Sequence, residues 1–477
     1  MTEFRAVDTA IIITMVIGYI IFTSWLTVRL RSKTADQFMT ASRALPAAVI
    51  GVLLMSEFVG AKSTVGTAQE AFLSGIAAGW SVLGASIGFV LFGLFFVRKL
   101  YNSGEYTISG AIAQKYGRST MLTVSLIMIY ALLIVNVGNY ISGAAAIATV
   151  LKINLPVAMC IIAVVSTFYY VFGGLKGVAY VTVLHSGLKL IGVFLILGVA
   201  LYATGGIAPM VNSLPPDYST WDGAIGAPTI VAWTIGTIGA IFSTQFIMQA
   251  ISSSHNADDA RRSTFYSAAL CFPLGIALAL IGVASKFLHP SMNSLYALPV
   301  FLQGMNPFLA GLVTTALVAS VFVSVSTVAL AIVSLIMRDF YVPHYRPAPA
   351  AELRATRLIA LAVAFAPLVF VFFVPEILRL SFFTRALRLS ISIVAVIGFY
   401  LPMFHSGRGA TLGLLAAAVL TSIWYVLGNP YGIDNMYIAA VTPVAVMAAE
   451  RTLPWRKSAV LAGGVNDTGR PQIRTGA

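Results

Sequence analysis

Long apolar segments, separated by short polar ones, run along nearly the whole chain. The apolar residues follow one another without the alternation of β-strands, and most segments approach the length of about twenty residues with which an α-helix crosses a hydrocarbon layer. The pattern therefore predicts an all-α, multi-pass membrane protein rather than a β-barrel. We predict thirteen spans, at residues 9–30, 44–72, 76–97, 120–151, 154–172, 178–203, 227–250, 264–285, 307–337, 356–374, 377–404, 410–427 and 435–450.

Composition agrees with this class. Hydrophobic residues make up 59% of the 477 residues, charged residues make up 9%, and the mean hydropathy is +0.91. Cys160 and Cys271 lie in apolar segments, so we expect them to pack in the core without a disulfide or a metal. The sequence shows no nucleotide-binding loop, catalytic triad or zinc motif, so we predict neither an enzyme nor an organic cofactor. Residues 9–30 lack a small-residue cleavage site, which favours a first helix over a signal peptide.

The net charge of +13 is concentrated in alternate loops. One side of the predicted bundle, called the basic face below, carries Arg29, Arg31, Lys33, Arg43, Arg98, Lys99, Lys115, Arg118, Arg261, Arg262, Arg338, Arg346, Arg354 and Arg357, followed by the basic tail. The opposite side carries only Arg5, Lys152 and Lys286. The positive-inside rule predicts a cell inner-membrane protein with its N-terminus outside and its C-terminus in the cytoplasm. The charge thus reports topology rather than nucleic-acid binding, and the expected partners are a small-molecule solute and the lipid bilayer.

The segment 44–72 contains a charge that is costly in a membrane. Lys62 lies near its middle, and a lysine at the bilayer centre costs about 3 kcal/mol, so it usually faces protein or a wet cavity. Gly60, Ser63, Thr64 and Gly66 lie close by, and glycine and β-branched residues weaken a helix. These residues together predict an interrupted membrane helix. Transporters place substrate and coupling-ion sites at such interruptions.

Four segments together make the chain resemble the sodium:solute symporter family over residues 8–450. They are SEFVGAKSTVGTAQEAFLSGIAAGW (Ser56–Trp80), FGGLKGVAYVTVLHSGLKLIGV (Phe172–Val193), HNADDARRS (His255–Ser263) and SVFVSVSTVALAIVSLIMRDFY (Ser320–Tyr341). The second is similar to the family's GGLxAVxxTDxxQ stretch, the third to AxxxxxARR, and the fourth to a serine-rich helix that ends in DxY.

The resemblance implies a LeuT-type core of ten helices in two inverted repeats, within a single membrane domain at residues 1–450. It also implies that the first and sixth core helices are unwound at mid-membrane. Gly60 and Gly66 suit a break in the first helix, and Gly236 and Gly239 suit a break in the sixth. The implied parts are an extra helix (9–30), the first repeat (44–203), the second repeat (227–404), two extra helices (410–450) and a cytoplasmic tail (451–477).

The resemblance also implies a Na⁺ site between the first and eighth core helices. Its carbonyl ligands fall on Ser56, Val59 and Ser320, and its hydroxyl ligands fall on Val323 and Ser324. Valine supplies no hydroxyl, and two further polar positions of the family are occupied by Thr182 and Phe58. Na⁺ binding at Ser320 and Ser324 therefore competes with a second interpretation. In it, Ser320, Ser324 and Thr327, which share one helical face, bond to their own backbone or join helices.

Lys189 offers a different cation. It lies seven residues beyond Thr182, about two helical turns and roughly 10 Å further toward mid-membrane. Sodium-independent relatives with this inverted-repeat fold use a lysine of the same helix in place of Na⁺, and burial disfavours the charged form of a lysine. We therefore predict H⁺ coupling or uncoupled exchange through Lys189, with His185 as a candidate relay. The alternatives are a snorkelling or ion-paired lysine and a histidine bonded within the core.

The expected substrate contacts are Lys62, Ser63, Glu57, Thr234, Gly236, Arg385 and Arg388. The predicted spans hold five cations (Lys62, Lys189, Arg379, Arg385 and Arg388) and the acids Glu57 and Glu70, with Glu376 at an outer edge. An excess of buried positive charge, together with the N-terminus of a broken helix, favours an anionic solute such as a carboxylate. The alternative is internal pairing of Lys62 with Glu57 or Glu70, and of Arg379 with Glu376.

The resulting prediction is a secondary active symporter that imports a small organic anion, driven by Na⁺ or by H⁺. Two other functions stay open at this point. One is a solute sensor without transport, and the other is an uncoupled uniporter or exchanger.

Overall fold

The structure, a computed structural model, describes residues 6–151, 153–371 and 377–452, with side chains except at residues 6, 61–62, 145–151, 155, 370–371 and 377–381. The described residues are all-helical apart from loops and one isolated parallel bridge between Leu45 and Ser254. The α-helices are α1 (Ala6–Arg29), α2 (Ala35–Thr40), α3 (Ala47–Phe58), α4 (Ala61–Ser74), α5 (Trp80–Leu91), α6 (Val97–Asn102), α7 (Ile108–Tyr116), α8 (Arg118–Leu151), α9 (Leu155–Thr204), α10 (Ile207–Ser213), α11 (Ala227–Ser243), α12 (Gln245–Ser252), α13 (Ala257–Leu288), α14 (Pro307–Leu335), α15 (Val342–Tyr345), α16 (Pro349–Val371), α17 (Ile377–Tyr400), α18 (Gly407–Val426) and α19 (Asn435–Thr452).

Long apolar helices make this a multi-pass membrane protein. By length and composition, eight of the described helices can cross a membrane, and up to ten can if each of two bent pairs forms one span. Helices run through most of the described part of each predicted span, although α13 and α16 begin seven residues before the predicted positions 264 and 356. The exact number of thirteen spans stays a prediction.

Helix α9 contains two predicted spans, 154–172 and 178–203, with a bend in place of a loop. Gly174 alone leaves helical geometry, with φ +55° and ψ −160°, a conformation that glycine adopts without steric cost. In a straight helix, Tyr169 and His185 would be about 24 Å apart along the axis, but their ring centroids are 5.8 Å apart. The chain therefore reverses at Gly174, and α9 consists of a first arm and a second arm that lie side by side.

Helix α14 lies at the centre of the bundle. Every residue from Val313 to Leu335 is buried, and the helix packs against α1, both arms of α9 and α8. A helix that is apolar on all sides is typical of such a central position. Its serines and threonines are consequently placed where they contact other helices rather than lipid.

Polar contacts close the basic face of the bundle. The guanidinium of Arg338 donates to the Glu105 carboxylate at 3.0 Å, and Gln249 donates to the Met39 carbonyl at 2.6 Å. Gln245 joins α12 to two other segments, since it donates to the Tyr106 carbonyl at 3.0 Å and to another helix, α14, through a serine hydroxyl at 2.9 Å. These bonds join α12 to α2, to α14 and to the loop before α7.

Candidate functional site

The first break in a helix lies where the sequence predicts it. Helix α3 ends at Phe58 and α4 begins at Ala61, and the two are bent by 48°. Gly60 allows α14 to pack directly on the break, because a Cβ atom at this position would lie 2.2 Å from the Ser324 Oγ. Gly66 lies within α4 and has no part in the break.

The break frees two carbonyl groups that side chains then bind. A carbonyl at the end of a helix lacks its usual backbone partner. The Lys189 Nζ, from the second arm of α9, donates to the Val59 carbonyl at 2.5 Å, and the Ser63 Oγ donates to the Phe58 carbonyl at 2.6 Å. Lys189 is only 2% exposed, so its ammonium group reaches the break from inside the protein. The Lys62 side chain lies outside the described residues.

The position predicted for Na⁺ is thus contacted by an ammonium group. Val59, one of the expected carbonyl ligands, is the acceptor of the Lys189 hydrogen bond. The Ser324 hydroxyl donates to the Ser320 carbonyl at 2.9 Å, which matches the interpretation that these hydroxyls bond to their own helix. Val323 is buried and offers no side-chain oxygen, and the Ser56 hydroxyl is hydrogen-bonded to a serine hydroxyl of α9.

Two hydroxyls near this position stay without a partner among the described residues. They are the Ser320 Oγ of α14 and the Thr182 Oγ1 of the second arm of α9, and both are buried. A buried hydroxyl without a hydrogen bond costs about 1–3 kcal/mol. Other buried polar atoms without a partner among the described residues include the Gln249 Oε1 and the Ser285 Oγ.

His185 has its hydrogen bond on another side of α9. Its Nδ1 is 2.8 Å from the Tyr19 hydroxyl of α1, and its Nε2 is buried without a partner among the described residues. It forms no hydrogen bond with Lys189. The contact matches the alternative of a histidine bonded within the core, and it ties the extra helix α1 to the second arm of α9.

The second break in a helix is not at the glycines predicted to form it. Helix α11 continues through Gly236 and Gly239 to Ser243, and the chain leaves helical geometry at Thr244, with φ −61° and ψ 127°. The prediction of a break at Gly236 and Gly239 is therefore wrong. Both glycines instead allow close packing, since a Cβ atom at Gly236 would lie 2.2 Å from the Met436 Sδ, and one at Gly239 would lie 2.3 Å from the Leu389 Cδ1.

Arg385 and Arg388 of α17 both bind α11 at or near the second break. They lie one turn apart, as the sequence suggests, and are 7% and 6% exposed. Arg385 donates to the Thr237 hydroxyl at 2.8 Å, and Arg388 donates to the Thr244 hydroxyl at 2.9 Å. Two guanidinium groups are therefore buried beside the break in α11/α12, each with a neutral hydrogen-bond partner.

Glu57 is the one acid among the predicted substrate-site residues. Its Oε2 accepts a hydrogen bond from the Thr327 hydroxyl at 2.8 Å, and its charge attracts that of Arg388. Glu57 therefore connects α3, just before the first break, with α14, and it forms no ion pair with either arginine among the described residues. The predicted pairings of Glu376 with Arg379 and of Lys62 with an acid rest on side chains outside the described residues. Glu70 accepts a hydrogen bond from Ser74 at 2.8 Å.

Two of the remaining predicted substrate residues face other helices. Gly236 is covered by Met436 of α19, and Thr234 packs against Gly84 of α5. The arginines instead contact Thr237 and Thr244, and the expected substrate contacts at Thr234 and Gly236 stay predictions. The signal that could have found Thr244 is the polar run Ser243-Thr244-Gln245 inside an otherwise apolar helix.

Comparison with known proteins identifies the family of the chain. The sequence model of the Sodium:solute symporter family matches residues 38–416. The chain belongs to the sodium:solute symporter family. One relative of this chain is sodium/glucose cotransporter 1 of Sus scrofa. It is 24% identical over 218 residues, which are 44% of this chain and 33% of that protein. High affinity choline transporter 1 of Homo sapiens is 22% identical over 257 residues, 52% of this chain and 44% of that protein. The aligned part thus spans less than half the length of these relatives.

Solved structures of other transporters have the same fold as this chain. A Na⁺-coupled sialic acid symporter in a substrate-bound outward-open state has a TM-score of 0.80 at 18% identity, with 92% of this chain and 97% of that chain covered. MHP1, a nucleobase-cation-symport-1 family transporter, has a TM-score of 0.58 at 15% identity, with 89% and 97% covered. The predicted LeuT-type, all-α fold is thereby confirmed, and the family and these structural neighbours are transporters rather than enzymes.

Proposed function

We propose that this member of the sodium:solute symporter family is a cation-coupled symporter that imports a small carboxylate. In the proposal, alternating access comes from the two repeats, residues 44–203 and 227–404, which move around the pair of broken helices. The protein lies in the cell inner membrane with its basic face in the cytoplasm. The short tail after residue 450 is a cytoplasmic extension of the single membrane domain.

The observation that carries the proposal is the excess of buried cations at the two breaks. Arg388 is buried beside Thr244, Arg385 is buried beside Thr237 of α11, and Lys189 is buried beside Val59. Among described residues at these breaks, only Glu57 supplies a carboxylate. Buried cations are retained only when something compensates them, and a solute carboxylate supplies that compensation with the bidentate geometry that arginine prefers.

Glu57 makes the anion site competitive. Its charge attracts the same Arg388 that a solute carboxylate would bind. An incoming carboxylate must therefore share or displace this interaction, while Glu57 keeps the hydroxyl of Thr327 as its hydrogen-bond donor. Sharing one arginine between two carboxylates limits the affinity for the solute, and a transporter that must also release its solute can use such a limit.

Lys189 supports H⁺ rather than Na⁺ as the coupling ion in the proposal. The family name implies Na⁺, but here the Val59 carbonyl binds an ammonium group, and position 323 is a valine. Na⁺ and the Lys189 ammonium cannot occupy the same place. Loss of the proton from Lys189 would weaken the bond across the first break, and that bond joins α3/α4 to the second arm of α9.

Uptake into proteoliposomes tests both parts of the proposal. The purified protein is reconstituted, and uptake of a labelled carboxylate panel is measured under a Na⁺ gradient alone and under a pH gradient alone. The expected result is accumulation of a carboxylate with the pH gradient, and competition by other carboxylates but not by neutral solutes of the same size. Transport restricted to neutral solutes contradicts the anion site, and accumulation that requires Na⁺ contradicts coupling through Lys189.

The same experiment separates the two other functions. A uniporter or exchanger would equilibrate or exchange the labelled solute under either gradient without accumulating it. A sensor would bind the solute without flux, so binding measured on the purified protein with no uptake in vesicles would favour that function.

A further inference from the structure

A groove on the outside of the bundle lies between the first arm of α9 and α16. Its volume is about 670 Å³, and most of its apolar lining residues are exposed at the surface of the bundle. The apolar lining consists mainly of Val164, Phe168, Phe172, Leu358, Leu361 and Phe365. This groove is remote in the chain from the two helix breaks, and none of its lining residues contributes to the candidate site described above.

Two arginines end the groove at the basic face. Arg354 and Arg357, one turn apart near the start of α16, line it together with the apolar residues. Arg354 is exposed and forms no ion pair with a described carboxylate. Arg357 donates to the Ser32 carbonyl at 3.1 Å, and its Nε has no acceptor among the described residues. Glu352 lies two positions from Arg354, and residues so spaced do not face each other on a helix.

The groove has the length of one leaflet. From Val164 to Phe172 the first arm of α9 rises about 12 Å, and from Arg354 to Phe365 helix α16 rises about 16 Å. Half of a hydrocarbon layer about 30 Å thick measures about 15 Å. The arginines at one end of the groove therefore match the position of a lipid headgroup. The aromatic and aliphatic side chains along the rest of the groove match the upper part of an acyl chain.

We propose that this groove is a binding site for an anionic phospholipid, whose phosphate binds Arg354 and Arg357 and whose acyl chain lies between α9 and α16. The lipid belongs to the leaflet at the basic face, where juxtamembrane arginines attract anionic headgroups. A zwitterionic lipid fits the apolar part equally well and carries the same phosphate, but its ammonium group brings a positive charge next to the two arginines, whereas an anionic headgroup adds none. The site therefore selects by headgroup charge, and ordinary lipid-facing surface does not.

Bound lipid would also act on the basic end of the bundle. Arg357 links α16 to the loop that follows α1 through the Ser32 carbonyl, and the Ser32 hydroxyl donates to the Gly173 carbonyl at 2.6 Å, next to the bend of α9. A phosphate on Arg357 therefore fixes a point at which three segments of the protein meet.

Native mass spectrometry of the full-length protein in a neutral detergent tests the proposal. The protein is titrated with equimolar phosphatidylglycerol and phosphatidylcholine that carry the same acyl chains, and the bound fraction of each is measured. Each basic residue near anionic lipid is worth a factor of about 5, and two are worth about 30. We expect phosphatidylglycerol to bind in preference, Arg354→Gln to weaken it about 5-fold, and Arg354→Gln with Arg357→Gln to weaken it about 30-fold.

Three controls make the outcome decisive. Arg118→Gln removes an exposed charge at the basic face outside the groove and should leave lipid preference unchanged. Val164→Phe fills the apolar part of the groove and should weaken the binding of phosphatidylglycerol although both arginines remain. Inorganic phosphate should not compete with phosphatidylglycerol for binding. Arg354→Gln alone keeps the test valid if the loss of the Arg357 contact with Ser32 disturbs folding.

Equal binding of the two lipids overturns the proposal, as does an Arg354→Gln variant with undiminished preference. So does a loss in Arg118→Gln as large as in Arg354→Gln, since binding would then follow total charge. Displacement of phosphatidylglycerol by inorganic phosphate would show a phosphate site without a lipid groove. All of these measurements are made without transport, so they do not depend on the proposed solute or coupling ion.

Discussion

Replacement of Lys189 by methionine removes the ammonium group and keeps a side chain of similar length and flexibility. The Val59 carbonyl then loses the one side-chain donor that it has among the described residues, a bond of 2.5 Å in the wild-type protein. A hydrogen bond to a charged group is worth about 1.5–3 kcal/mol, which corresponds to a factor of about 10 to 150 in an equilibrium constant. This factor applies to the equilibrium between two conformations. In one, α3/α4 is joined to the second arm of α9, and in the other the two are separate.

The effect on coupling follows from the size of the pH gradient. A pH gradient of about two units is worth about 2.7 kcal/mol for each proton, so one coupled proton accumulates a solute by at most about 100-fold. If Lys189 carries that proton, the Lys189→Met variant accumulates nothing. We expect its internal and external solute concentrations to become equal, whereas the wild-type protein concentrates the solute inside.

The assay is uptake in proteoliposomes without Na⁺, with the membrane potential clamped, for the wild-type protein, Lys189→Met and the matched control Lys33→Met. Lys33 is an exposed lysine of the basic face, so its loss should leave accumulation intact. Solute exchange at equal concentrations on both sides should persist in Lys189→Met, which shows that the variant is folded and binds solute. A Lys189→Met variant that still concentrates solute in response to pH would refute the coupling argument, and so would accumulation by the wild-type protein with Na⁺ alone.

Three further changes test the packing and the anion site. Gly60→Ala should abolish transport, because its Cβ would lie 2.2 Å from the Ser324 Oγ, and adding Ser324→Ala should restore part of the uptake; a fully active Gly60→Ala would contradict the close approach at the first break. Arg388→Gln should raise the KM for a carboxylate by about 10- to 150-fold, as expected for a lost hydrogen bond to a charged group, while an equal rise for a neutral analogue would argue against charge recognition. Gly239→Ala should lower unfolding stability by about 1–3 kcal/mol through overpacking on Leu389, a change visible in the thermal melting midpoint in detergent, and an unchanged midpoint would contradict the packing role.

Much of the fold follows from local sequence properties. Long apolar segments can satisfy their backbone hydrogen bonds in a membrane only as helices, so the helical class and most helix positions were predictable. The first break was predictable as well, since Gly60 stands beside several residues that weaken a helix. The basic loops set a topology prediction, although the orientation of the termini stays untested.

The second break was not predictable from glycine content. Gly236 and Gly239 resemble helix-breaking residues in sequence, but both lie inside α11, where Met436 and Leu389 need the space that a side chain would fill. The helix ends at Ser243, and the hydroxyl of the next residue, Thr244, binds Arg388 from a helix 144 positions later in the chain. Whether a glycine breaks a helix or admits a neighbour depends on what packs against it, and that information is not local.

The sequence alone determined the class of this protein, its family and the presence of costly charges in membrane helices, because hydrophobic length and motif spacing are properties of the chain itself. Only the tertiary structure decided which partners those charges have. Lys189 meets the Val59 carbonyl across 130 positions of the chain, and Thr327 of α14 binds Glu57 of α3 across 270. A buried charge is stable only with a partner, and the partner is chosen by how the helices pack, which one-dimensional spacing cannot specify.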